Sequence, residues 1–130
     1  MATSINLSCP CGSGCSYEQC CGAIHSGRRE AQTAEQLMRS RYSAFVKNDL
    51  DYLVHSWHPS HCPNDLKLEK TNWIGLKIKE TRLGQKDDEE GWVHFVARYK
   101  VNGKAEKIVE NSHFSRIDGR WVYVEAQSND

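Results

Sequence analysis

Between Thr33 and Phe45 the apolar residues Leu37, Met38, Tyr42 and Phe45 recur at the spacing of one helix face. Thr33 and Gln36 stand three apart ahead of that stripe, which is the spacing of a capping box, so a helix opens at Thr33. Asn48-Asp49 breaks it. Asp49 then caps a second segment, where Leu50, Leu53, Val54 and Trp57 follow i, i+3, i+4, i+7 and Pro59 stops the helix after His58. In the second half the period changes. Ile74, Leu76 and Ile78 alternate with polar or small neighbours, as do Val93, Phe95, Ala97, Tyr99 and Val101. Asn102-Gly103 and Asp118-Gly119 flank the run from Lys104 to Ile117, and both dipeptides favour two-residue hairpin turns. Trp121-Val122-Tyr123-Val124 supplies a last strand, and Gln85 to Gly91 reads as a solvated loop. The pattern predicts two helices packed on one face of a curved antiparallel sheet of about four strands, an α+β domain.

Two-residue turns would also set the register. Tyr99 then opposes Glu106, Phe95 opposes Glu110 and Phe114 opposes Tyr123. One face carries Val93, Phe95, Ala97, Tyr99, Ile108, Phe114, Trp121 and Tyr123, with Glu110, Ser112 and Arg116 among them. A carboxylate on an apolar face needs a partner, and Arg41 or Arg116 is the one expected for Glu110. His113 falls on the opposite face with Val109, where it should be exposed.

The chain has 130 residues, enough for one compact domain and a small appendage. With 17 Lys and Arg against 17 Asp and Glu, no global positive field exists to collect nucleic acid, which is not an expected partner. A mean hydropathy of -0.69 and the lack of any run near the ~20 apolar residues of a bilayer span exclude a membrane helix. Met1 to Ser8 has neither a charged n-region nor an apolar core, so no export signal is expected and the placement is read as cytoplasmic. In that reducing compartment clustered thiols hold metal rather than pair.

Five of the six cysteines do cluster, within Cys9 to Cys21. Cys9, Cys11, Cys20 and Cys21, spaced C-x-C-x8-C-C, are the expected ligands of one tetrahedral Zn²⁺. So short a segment has little apolar surface to bury, and the metal would supply its fold. Cys15 is a competing fifth thiol and His25 a lesser candidate. Four protein ligands would leave no place for water, which makes the site structural or recognition-bearing. Ala23 to Gln32 looks like a linker, giving a metal module with its linker over 1–27 and a second domain over 28–130. Metal removal should then unfold residues 9–22 and leave the rest melting as before. A second site from His58, His61 and Cys62 lacks a fourth ligand, so Cys62 reads as a free thiol.

Cys9-Pro10-Cys11-Gly12-Ser13-Gly14, Tyr17 and Cys20-Cys21-Gly22 resemble the SEC-C motif, a small zinc module that serves protein interaction. Arg39-Ser40-Arg41-Tyr42-Ser43-Ala44-Phe45, Trp57-His58-Pro59 and Asp118-Gly119-Arg120-Trp121-Val122-Tyr123-Val124 resemble the bacterial YchJ-type proteins. These join a SEC-C motif to a domain like nuclear transport factor two. The resemblance implies a cone-shaped α+β domain, its sheet curled around a central cavity, and a protein partner for the motif. It carries over no biochemical activity. Arg41, Tyr42, Trp57, His58, Glu110 and His113 are the polar candidates for the cavity wall. Since cones of this kind host isomerases, dehydratases and hydrolases as well as proteins with no reaction, two expectations stand. The first is a zinc-dependent interaction module with no catalytic residue and no enzymatic role. The second is a small acid-base enzyme, or a receptor for a small molecule, built around Glu110.

Overall fold

The computed structural model describes residues 8–68 and 70–127. Residues 1–7, which carry the expectation about export, lie outside them. A 3₁₀ turn, Tyr17–Gln19, leads into a short helix α1, Cys21–His25, then α2, Ala34–Lys47, and α3, Leu50–His55. Four strands follow: β1, Asn72–Leu83; β2, Glu90–Val101; β3, Lys104–Ile117; and β4, Arg120–Gln127. They form one antiparallel sheet in the order β1-β2-β3-β4, a meander without crossovers. Helix α2 lies across its inner face, where Leu37, Met38 and Tyr42 pack with Val93, Phe95, Ala97, Phe114 and Trp121.

Local chemistry explains the helix ends. Thr33 Oγ1 accepts from the Gln36 amide at 3.1 Å, and Gln36 Oε1 returns to the amide of Gln32 at 2.9 Å, one residue beyond the usual capping box. Asn48, at φ 60°, ends α2 in the left-handed region, and Asp49 Oδ1 caps α3 by accepting from the Tyr52 amide at 3.1 Å.

Helix α3 departs from the expected stripe. It ends at His55, and the residues it buries are Tyr52 and Leu53, while Leu50 and Val54 are 37% and 47% exposed. The backbone beyond it has better partners. Tyr123 donates its amide to Ser56 O at 2.8 Å and accepts from the His58 amide at 2.7 Å, so the chain from Ser56 to His58 adds to β4 instead of continuing the helix to Pro59.

Both hairpin turns have two residues with positive φ, Asn102 at 51° with Gly103 at 79° and Asp118 at 52° with Gly119 at 81°. The register is the expected one: Tyr99 opposes Glu106, Phe95 opposes Glu110 and Phe114 opposes Tyr123. Strand β1 is less regular. An irregularity between Trp73 and Gly75 throws Ile74 out of phase, leaving it 46% exposed while Trp73 opposes Tyr99 and packs on the core. His113 does lie on the outer face but is only partly exposed, because its ring stacks on Trp92 at 4.8 Å and 16°.

The first residues of the segment expected as a linker, Ala23 to His25, belong to α1. Ala23 and Ile24 are helical and buried, and Ile24 packs with Ala44, Tyr52 and Leu53. Apolar surface on α1 is thereby shared with α2 and α3.

Candidate metal centre and cavity

The cysteine loop folds back on glycine. Gly12 and Gly14 sit at φ 81° and 89°, and the Cys9 amide donates to Cys15 O at 2.8 Å across the reversal. Gly22 serves a different purpose: a Cβ there would lie 2.6 Å from Tyr17 O, so a bare backbone lets α1 start against the 3₁₀ turn. Cys20 and Cys21 are thereby placed across from Cys9 and Cys11.

The four Sγ atoms lie within 4.8 Å of one another, with Cys11 and Cys20 at 3.7 Å. A tetrahedron with metal–sulfur bonds of about 2.3 Å has sulfur–sulfur edges of about 3.8 Å, so the set fits one tetrahedral ion. Cys9, Cys11 and Cys21 are buried and Cys20 is partly so. Among the described residues this is the one cluster of His, Cys, Asp or Glu with converging ligand atoms. Four cysteines in this arrangement could hold a metal ion. Cys15 is exposed and outside the set. His25 is outside it too, its Nδ1 accepting from Tyr17 OH at 2.6 Å and its Nε2 meeting Ser40 O at 2.7 Å.

Neighbours support the thiols. Ser43 Oγ stands 3.5 Å from Cys9 Sγ and Ser13 Oγ 3.2 Å from Cys20 Sγ. Arg39 donates from Nη1 to Cys11 O at 2.7 Å and from Nε to Glu35 at 2.9 Å, setting a cation beside the cluster. The thiols of Cys11 and Cys21 act on each other. Hydrogen bonding from Cys21 holds the Cys11 thiol down at about 4, and the same bond pushes the Cys21 thiol up. Metal binding would displace the thiol protons.

Between α2 and the inner sheet face lies a cavity of about 260 Å³. Met38, Phe45, Trp73, Phe95 and Ile108 give it apolar walls. Of the expected polar candidates, Arg41, Tyr42, Trp57 and Glu110 line it. His58 does not, because pairing with β4 turns it outward, where Nδ1 accepts from the Ser60 amide at 3.1 Å and the ring meets His61. His113 stays on the other face of the sheet. Ser112 and Tyr123 complete the polar wall. Strand alternation already put both on the face of Glu110, the signal by which they could have been named.

The expected ion pair of Glu110 is not made. Its Oε2 accepts from Ser112 Oγ at 2.7 Å and from Tyr123 OH at 3.4 Å. Arg41, 3% exposed, donates from Nη1 to Leu53 O at 2.9 Å and to Ser56 Oγ at 2.8 Å. Its guanidinium lies 4.8 Å from the Trp57 ring centroid and 4.5 Å from that of Tyr123. A carbonyl left open at the end of α3 is a nearer acceptor than the carboxylate. Burial lowers the Arg41 pKa to about 10. Arg116 instead donates to Asp88 O at 2.7 Å, Gly119 O at 3.0 Å and Lys86 O, and lies over Trp121. Cys62 donates to Pro63 O at 3.7 Å, away from any ligand cluster.

A sequence model described as "YchJ, middle NTF2-like domain" matches residues 33–126. The chain is 48% identical to the UPF0225 protein RSc0270 of Ralstonia nicotianae, over 95% of this chain and 93% of that one. It is 45% identical to the UPF0225 protein SCO1677 of Streptomyces coelicolor, over 92% and 94%. Among solved structures it resembles RPA3114, a SEC-C motif containing protein from Rhodopseudomonas palustris, with a TM-score of 0.82 and 30% identity over 94% of this chain and 98% of that one. A SEC-C motif containing protein from Psychrobacter arcticus gives 0.78 and 26%, over 100% and 88%. No helix among the described residues is long and apolar enough to cross a membrane. The curved α+β sheet, the cysteine motif ahead of it and these relatives together place the chain in the UPF0225 family of YchJ-type proteins, with a SEC-C motif and a domain like nuclear transport factor two.

Proposed function

We propose that Cys9, Cys11, Cys20 and Cys21 hold one structural Zn²⁺, and that the protein is a cytoplasmic interaction module which docks a partner protein through its metal loop. The observation that carries this reading is the closed sulfur set, with all four Sγ within 4.8 Å. Sulfur would fill every tetrahedral position, leaving none for a substrate or an attacking water. The knob is also two-sided. Cys9, Cys11 and Cys21 are buried, whereas Gly12 to Cys15, Glu18 and Gln19 are exposed, a rim available to a partner. Elemental analysis should find one zinc per chain. Capture from extract should yield a partner with the intact protein and none with Cys20→Ser/Cys21→Ser. A chain purified without zinc, or a partner indifferent to the double substitution, overturns the reading.

A second reading has its own support in Glu110. A carboxylate bonded to Ser112 and Tyr123 in an apolar cavity is the kind of group that moves protons on a small bound molecule. Trp57 and Trp73 line that cavity, so their fluorescence reports an occupant. Glu110→Gln should then abolish ligand-induced fluorescence change while leaving the melting temperature unchanged. Equal responses from both proteins would remove Glu110 from the site.

A further inference from the structure

Among the described residues no helix lies over the outer face of the sheet, and its composition follows from the register. Residues directly opposite in antiparallel strands share a face. Three successive outer rows across β1, β2 and β3 read Asn72–Lys100–Ala105, Gly75–Arg98–Lys107 and Lys77–Val96–Val109. They hold four cations and no carboxylate. Lys77, Arg98, Lys100 and Lys107 are all exposed, and none is in an ion pair among the described residues.

Seventeen charges of each sign would allow these rows to be mixed. Instead Arg98 stands directly opposite Lys107, a like-charge pair that weakens a sheet where one acidic residue would strengthen it. Solubility does not require this, since interspersed signs serve it equally well.

We propose that this patch on the outer side of β1, β2 and β3 binds the phosphodiester backbone of single-stranded nucleic acid. Arg98 and Lys100, two apart on β2, are separated by about 6.6–6.8 Å along the strand, and adjacent strands lie about 4.8 Å apart. Four positive heads therefore fall within a strip a few phosphates long, and the Arg98 guanidinium offers a fork for phosphate oxygens. A protein partner would need aromatic or large apolar anchors at the centre of its interface, but the apolar residues among the cations are the buried Val96 and the half-exposed Ile74 and Val109, with no aromatic ring between them. A bilayer would need an apolar wedge, and the hairpin tip is Asn102-Gly103-Lys104. Of the outer-face rings next along β2, His94 is partly buried and Trp92 is covered by Arg82 at 4.7 Å and by stacked His113. Bases do not stack there, so recognition rests on charge and is indifferent to sequence.

Fluorescence anisotropy of a labelled twelve-nucleotide oligouridylate, titrated with the metal-replete full chain at several salt concentrations, tests this. Four phosphate contacts give a slope of log K against log salt of about -3, a loss of roughly fifty-fold between 50 and 200 mM. Arg98→Ala/Lys107→Ala, at exposed positions where the fold is retained (checked by melting), should halve the slope and cut that loss to about seven-fold. No binding at 50 mM salt, or a double variant matching the parent, overturns the proposal. Equal affinity for polyglutamate of the same length would assign the patch to an acidic protein, and binding confined to vesicles of anionic lipid would assign it to a membrane. Either result also overturns it.

Discussion

His25 donates its Nε2–H to the carbonyl oxygen of Ser40 in α2 across 2.7 Å. A carbonyl cannot donate, so this contact places a proton on Nε2, while Nδ1 pairs with Tyr17 OH at 2.6 Å. One imidazole thereby ties the cysteine loop to the longest helix.

Replacing His25 by Ala should cost about 2 kcal/mol, because Tyr17 OH and Ser40 O both lose a partner in partly buried surroundings. Calorimetry should show a melting temperature lower by several degrees. Metal content should be unchanged in that variant and in Cys15→Ser. A fall in bound metal in either would add that residue to the ligand set.

Removing the metal should lower the melting temperature of the whole chain in one transition. Cysteine spacing by itself confines that loss to residues 9–22, but Ile24 packs with Ala44, Tyr52 and Leu53, and Arg39 of α2 holds Cys11 O. Scanning calorimetry with and without a strong chelator decides between the two. An unshifted main transition would restore the independent module.

Arg41→Met should destabilise the protein by about 2–4 kcal/mol. It removes the Arg41 donor from Ser56 Oγ and from Leu53 O, which keeps only the 3.3 Å bond from Ser56 Oγ, and it removes the cation between the rings of Trp57 and Tyr123. Arg41→Lys should recover less than half of that, since an ammonium lacks the planar fork that stacks and donates together. Urea titration should show a lower midpoint with an unchanged slope.

Alkali should destabilise the chain between about pH 10 and pH 12. Burial raises the Tyr52 phenol to about 12, against 10.0 for the free group, and Tyr123 is likewise raised to about 12. Within that window the unfolded chain has lost these protons and the folded chain keeps them, so stability falls as pH rises, by about 3 kcal/mol at most for Tyr52. Arg41 works the other way, because its lowered pKa of about 10 means the folded state loses its proton first, and it offsets part of the fall. Absorbance at 295 nm followed with circular dichroism should show the last phenols ionising together with unfolding.

Features specified by neighbours along the chain are legible in the sequence itself. Asn102-Gly103 and Asp118-Gly119 impose positive φ on two residues each, and that sets the register of β2 with β3, and of β3 with β4 as far as the irregularity between His113 and Phe114. The close spacing of Cys9, Cys11, Cys20 and Cys21 likewise marks out four sulfurs that can meet. What required the tertiary structure is where groups compete for partners distant in sequence. Glu110 bonds to Ser112 and Tyr123 because Arg41 is taken by Leu53 and Ser56, and α3 stops early because Tyr123 offers its backbone to Ser56 and His58. Charge followed the same rule. A chain of zero formal charge gathers Lys77, Arg98, Lys100 and Lys107 on one face, since pairing of strands, rather than order in sequence, decides which side chains share a surface.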